Sequence, residues 1–367
     1  MTRPVYITAA RRSIVAPRGG ALAHLELHQI AAPIVRACLA DADISPDVVD
    51  EIIVSNALGA GGNPARVIAL ATGLPEHVAG VSIDRQCVGG LDALLLGQAM
   101  IASGQANIVV AGGVESYSRR PYRAHILPDG MLEPYDQPMF APTSEQDPDM
   151  AEAADRMATQ LGISRQSQDA YARASHARAM ASRTVLQTEI APIPDVAQMH
   201  DSFSRALSAK LCARAPVITG NITHANAAVA ADGAAFCVLS ASPGVQSVQM
   251  LGGATVGANP ALPALAPAVA VKTAMARLGL SIDQIDRAEV MEAYAAQAIA
   301  TVRETGLRTK HVNQHGGALA RGHPVGASGA ILAVRLFHDL CGSGQTGLAT
   351  IAAAGGLGTA VVLRGCA

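Results

Sequence analysis

Apolar residues recur at helical spacing through residues 90–104 (GLDALLLGQAMIASG) and give way to the strand-length apolar run 108–113 (IVVAGG). The same succession returns at 326–340 (GASGAILAVRLFHDL) and 348–356 (LATIAAAGG). A second pair matches as well: in 43–54 (DISPDVVDEIIV) and 279–290 (GLSIDQIDRAEV), a turn with serine leads through a short amphipathic turn into a strand. Members of each pair lie about 240 residues apart, in register and in order, which predicts two copies of one α/β unit. The runs 107–111 (NIVVA) and 359–363 (TAVVL) lack polar alternation, as strands do when helices cover both faces.

Between the copies the character changes. Residues 118–215 hold Pro121, Pro128, Pro134, Pro138, Pro142 and Pro148, then two helical stretches at 150–162 and 165–182, the second with Ser164 as its N-cap. The pattern therefore predicts two α/β halves, each with a mixed sheet. Residues 1–117 and 216–246 form the first half, 247–367 the second, and 118–215 an insertion.

Composition narrows the class. Half of the 367 residues are apolar, aromatics are only 3% and tryptophan is absent, so the core must rely on Ala, Val, Leu, Ile and close glycine contacts. A net charge of −2 without charge runs gives no sign of a nucleic-acid or membrane-surface partner, and no uninterrupted apolar run is long enough to span a bilayer. Six cysteines, with no CxxC pair, imply neither a disulfide framework nor a metal site, and with no signal peptide or transit segment a reducing, cytoplasmic setting is expected.

Cys87 stands just before a Gly-Gly pair and an apolar helix, where a helix N-terminus favours thiolate over thiol. A small buried hydrophobe is the alternative use of such a cysteine. In the second copy, the glycine-dense segment 312–330 carries His323, followed by proline in a rigid turn before a helix. The related placement suggests a Cys–His pair meeting across a pseudo-twofold axis, with the imidazole taking the thiol proton.

These residues resemble the thiolases, which share their fold with the β-ketoacyl synthases. The resemblance covers almost the whole chain: residues 84–91 (DRQCVGGL), 112–116 (GGVES), 223–235 (THANAAVAADGAA), 291–297 (MEAYAAQ), 322–329 (GHPVGASG) and 352–360 (AAAGGLGTA). It implies two duplicated βαβαβαββ halves layered α-β-α-β-α, with the insertion covering coenzyme A. By the same resemblance Cys87 is acylated by an acyl-CoA, and His323 activates it and helps bind the thioester oxygen. The backbone N–H groups of Cys87 and Ala354 would form an oxyanion hole. Asn226 and Ala228 fall on the segment near CoA, which is a substrate, so no permanently bound cofactor and no metal are expected. A homodimer is implied too, and the shortness of the insertion argues against a tetramer.

Several positions depart from that pattern. Ala352 stands where the family carries a second cysteine, the acid/base at the substrate α-carbon. Met291 replaces the asparagine that holds a water in the other oxyanion hole, leaving His323 as its side-chain donor. His315 replaces an asparagine before Gly-Gly; it is either a substitute acid/base or a hydrogen-bonded supporting residue. Ala228 occupies a place where many members have serine, and His224 beside it reads as structural. The resemblance implies a thiolase-like acyltransferase with impaired carbon–carbon chemistry. A divergent acyltransferase or thioester hydrolase, and a non-catalytic CoA-binding subunit, are the alternatives.

Overall fold

The structure, a computed structural model, describes residues 3–59 and 61–366. The first half runs β1 (Tyr6–Arg12), α1 (Leu27–Asp41), β2 (Glu51–Ser55), α2 (Pro64–Thr72), β3 (Val81–Ile83), α3 (Gly89–Ala102) and β4 (Ile108–Glu115). An excursion follows, containing a two-stranded hairpin (Ala124–Ile126 with Leu132–Pro134), α4 (Met150–Gln160) and α5 (Arg165–Ala181), before the half closes with β5 (Ala231–Ser240). Ser164 does cap α5, accepting from the Ser167 N–H. The hairpin, in a segment whose shortness argued against an assembly loop, exposes Ile126, Met131 and Leu132.

The second half repeats the first without the excursion: β6 (Val248–Gly257), α6 (Ala266–Leu278), β7 (Arg287–Val290), α7 (Ala295–Thr305), α8 (Val325–Leu340), β8 (Thr346–Ala353) and β9 (Leu357–Gly365). In each half one parallel pair is followed by antiparallel neighbours, in the orders β2-β4-β5-β1 and β7-β8-β9-β6. Strand β3 extends the first order beside β2, and its counterpart in the second half shrinks to one bridge between Ala288 and Val312. The sheets meet where Tyr6 and Ile7 pair with Gln249 and Val248.

Side-chain direction explains the absent polar alternation. In β5, Ala235, Cys237 and Leu239 pack with α3 and α8, whereas Ala234, Phe236 and Val238 pack with α1. In β9, Val361 and Leu363 join that same central cluster, while Ala360 and Val362 turn outward to α6. Helices α3 and α8 thus lie between the sheets, α1 and α2 cover one outer face and α6 and α7 the other, an α-β-α-β-α sandwich. The central helices touch backbone to backbone. A Cβ on Gly90 would lie 2.5 Å from the Ala330 nitrogen, and one on Gly329 would lie 2.6 Å from that of Leu91.

Candidate active site

That close crossing brings two helix starts together, and each carries one candidate residue two positions before its first helical residue. Cys87 precedes α3 and His323 precedes α8, 236 residues apart in sequence, and Cys87 Sγ lies 3.2 Å from His323 Nε2. Glu115, at the end of β4, braces the junction. Its buried carboxylate accepts from the N–H groups of Ala57, Leu58 and Gly326, the last in the first turn of α8. His323 is held from the other side by its own N–H, which donates to the Val229 carbonyl at 2.8 Å.

The imidazole tautomer follows from its partners. Ser328 Oγ donates to the Pro324 carbonyl at 3.2 Å, so its lone pair accepts from His323 Nδ1–H at 2.6 Å. Nε2 then carries a lone pair toward the Cys87 thiol. Ser328 lies within the glycine-rich motif; that i, i+5 relation to His323 was the available signal for its role, and sequence reasoning passed over it.

The expected low thiol pKa does not hold. Burial pushes Cys87 up to about 12; its own backbone N–H works the other way, and the Glu115 and Asp84 charges add to the rise. Burial also pushes His323 down to about 4. Both shifts favour a neutral thiol donating to a neutral imidazole in the resting pair.

Both residues face a cavity of about 500 Å³, which Ala352, Ala354, Tyr117 and Tyr294 also line. Ala228 lines it too, its N–H donating to the Ala293 carbonyl, and so does His224, which sequence reasoning took as structural. Met291 does not: it is buried in the central apolar cluster with Val88 and Ala353.

Two candidates lie elsewhere. Asn226 is fully buried and its amide is consumed internally, accepting from the Thr223 N–H and donating to Asp169 and the Asn221 carbonyl. It shapes the 223–230 segment and is outside the cavity lining. His315 is also outside it, because the turn that carries it is pressed onto α5, where a Cβ on Gly316 would lie 2.5 Å from the Ser175 carbonyl oxygen. Its Nδ1 is 2.8 Å from Ser182 Oγ and its Nε2 3.4 Å from Asp339. There it joins a buried ion network: Asp339 pairs with Arg335, Arg335 and Arg12 with Glu189, and Arg12 with Asp201. His315 therefore lies outside the cavity that Ala352 lines.

A thiol hydrogen-bonded to an oriented imidazole, set between the halves of a duplicated α/β sandwich, is the arrangement of a cysteine nucleophile with its base. Family models agree: "Thiolase, N-terminal domain" matches residues 5–242 and "Thiolase, C-terminal domain" residues 246–365. The chain belongs to the thiolase family and is a thiolase-like acyltransferase. It is 32% identical over 401 residues to the acetyl-CoA acetyltransferase of Cupriavidus necator, covering 98% of this chain and 99% of that one. Among solved structures, it resembles human mitochondrial 3-ketoacyl-CoA thiolase with a TM-score of 0.91 at 27% identity, covering 100% of this chain and 99% of that one. An Ascaris suum thiolase in complex with coenzyme A superposes equally well, also with a TM-score of 0.91, at 30% identity and covering 99% and 100% of the two chains. No helix among the described residues is long and apolar enough to cross a membrane, and no group of three metal-ligating side chains occurs among them.

Proposed function

We propose that the enzyme forms an acyl-enzyme at Cys87 from an acyl-CoA and passes the acyl group to an acceptor without efficient carbon–carbon bond making or breaking. The observation that carries this reading is the 3.2 Å contact between Cys87 Sγ and a correctly tautomerised His323 in a cavity where Ala352 presents only a methyl group. As the thioester docks, the thiol proton moves to His323 Nε2 and the sulfur attacks the carbonyl carbon. The oxyanion is received by the N–H groups of Cys87 and Ala354, and His323 returns the proton to the departing CoA sulfur. Ala352 cannot take a proton from the substrate α-carbon, and His315 is tied into the ion network outside the cavity. A group that takes such a proton typically contributes about 10²–10⁴ in rate.

The inserted segment, residues 118–215, covers CoA in this reading. Residues 1–117 with 216–246 and residues 247–367 act as the two halves. A homodimer is supported by the open edge of β3, with Val81 exposed on it and Val67 and Leu70 exposed on the adjoining α2.

Intact-mass spectrometry after mixing with acetyl-CoA is the test. A 1:1 acetyl adduct that is lost in Cys87→Ala, together with acetoacetyl-CoA thiolysis much slower than acylation, is the expected result. Absence of an adduct, or thiolysis as fast as acylation, overturns the reading.

A further inference from the structure

The catalytic cavity continues into a second chamber of about 490 Å³ that shares Leu58, Tyr117, Arg120, Arg123 and Asp136 with it and adds Arg18. Its charges are unbalanced. Of the three arginines only Arg120 has an ionic partner among the described residues, Asp136, whose own side chain is 85% exposed. Arg18 forms no ion pair among the described residues, and Arg123 reaches only the carbonyls of Ala57 and Gly59, at 3.4 and 3.3 Å. Tyr117 faces the same space, and its hydroxyl has no hydrogen-bond partner in the protein among the described residues. Cys87, Arg120 and Arg18 all lie close enough to act on it electrostatically.

Three cationic forks and a free hydroxyl donor around one chamber are the chemistry of carboxylate recognition, since guanidinium binds it bidentately and phenol adds a neutral donor. The catalytic cavity is also lined by Met150, Ile218 and His224, from the excursion and the segment leading back to β5. Its apolar floor of Ala227, Val229 and Pro263 suits an uncharged pantetheine arm.

Given acylation of Cys87 as proposed above, we infer that the acyl group this enzyme carries ends in a carboxylate, held in the arginine chamber by Arg18, Arg120, Arg123 and the Tyr117 hydroxyl. The substrate class is then a dicarboxylic acid monothioester of CoA. Cys87 reaches the thioester carbon while the distal carboxylate extends away from the CoA entrance.

The test measures kcat/KM for Cys87 acylation with succinyl-, glutaryl- and adipyl-CoA against butyryl-, pentanoyl- and hexanoyl-CoA, each also as its pantetheine thioester. At least one carboxylate-bearing thioester is expected to exceed its neutral counterpart by about tenfold or more, the scale of one charge-assisted contact. That ratio should fall in Arg120→Gln and in Tyr117→Phe, recover in part with Arg120→Lys, and persist in the pantetheine series. No preference for carboxylates while neutral thioesters acylate Cys87 overturns this inference and leaves the acyl-enzyme intact. If the arginine variants instead lose only the advantage of CoA over pantetheine, the chamber binds the phosphates of CoA and the inference fails. Failure of every thioester to acylate Cys87 overturns the acyl-enzyme reading itself.

Discussion

Replacing Ser328 with alanine should slow acylation of Cys87 without removing either reacting group. Ser328 is 3% exposed, and its hydroxyl accepts from His323 Nδ1–H at 2.6 Å. Deleting it leaves that N–H buried without a partner, and an orphaned buried donor costs about 1–3 kcal/mol. The imidazole relieves part of this cost by moving its proton to Nε2, where it faces the thiol and can no longer accept. Since about 1.4 kcal/mol is a factor of ten, acylation should fall about 10- to 100-fold. The assay is single-turnover acetyl transfer from acetyl-CoA, followed by rapid quench and intact mass, with ¹⁵N chemical shifts of His323 reporting the tautomer. Denaturant unfolding of the same variant checks that the loss belongs to folded protein. A rate within twofold of the parent, with Nδ1 still protonated, refutes the relay.

Because burial holds the Cys87 thiol up at about 12 and His323 down at about 4, iodoacetamide should label Cys87 slowly at neutral pH and faster as pH rises into the alkaline range; half-maximal labelling near pH 8.5 contradicts this. Ala352→Cys restores a thiol in the cavity and should raise acetoacetyl-CoA thiolysis by about 10²-fold, a gain that Cys87→Ala abolishes. Adding Met291→Asn should give less than a simple sum, because it buries an amide in the central apolar cluster at a cost of about 1–3 kcal/mol, read as a lowered unfolding midpoint. Burial alone would raise the Glu189 carboxyl, yet the Arg335 and Arg12 charges overrule it and hold it at about 2, below its ordinary 4.5. Its stabilisation is thus full above about pH 4.5 and is lost as pH falls toward 2, so Glu189→Gln should cost about 3–5 kcal/mol at pH 7 and flatten that acid limb; an unchanged melting temperature at pH 7 rules it out.

The duplication, the buried strands and the Cys87–His323 pairing were legible in the sequence because repeats and glycine-dense helix starts leave local marks. The second half's missing strand was not: one bridge at Val312 needs no strand-length apolar run. The thiol's protonation was misread because the helix-start dipole is visible in sequence order, whereas burial between two sheets is a property of the assembled core. The surroundings of His315 and Asn226 were hidden for a related reason. A motif fixes where a residue lies in the chain, but the partners that consume its side chain, Asp339 and Asp169, come from segments remote in sequence. Tyr117, Arg120 and Arg123 escaped notice because they lie at the start of a proline-rich segment with no periodicity.

The equivalence of the Cys87 and His323 slots has an evolutionary edge. Two identical copies of a half, joined about a true twofold axis, would put the same side chain in both slots: thiol against thiol, or imidazole against imidazole. Neither arrangement sets a nucleophilic thiol against a separate nitrogen base. A thiol opposite an imidazole requires that the two copies be free to diverge, and a single chain encoding both halves supplies that freedom. Cys87 and His323 stand 236 residues apart, each two positions before the equivalent helix of its own half, and the two side chains are where the halves differ.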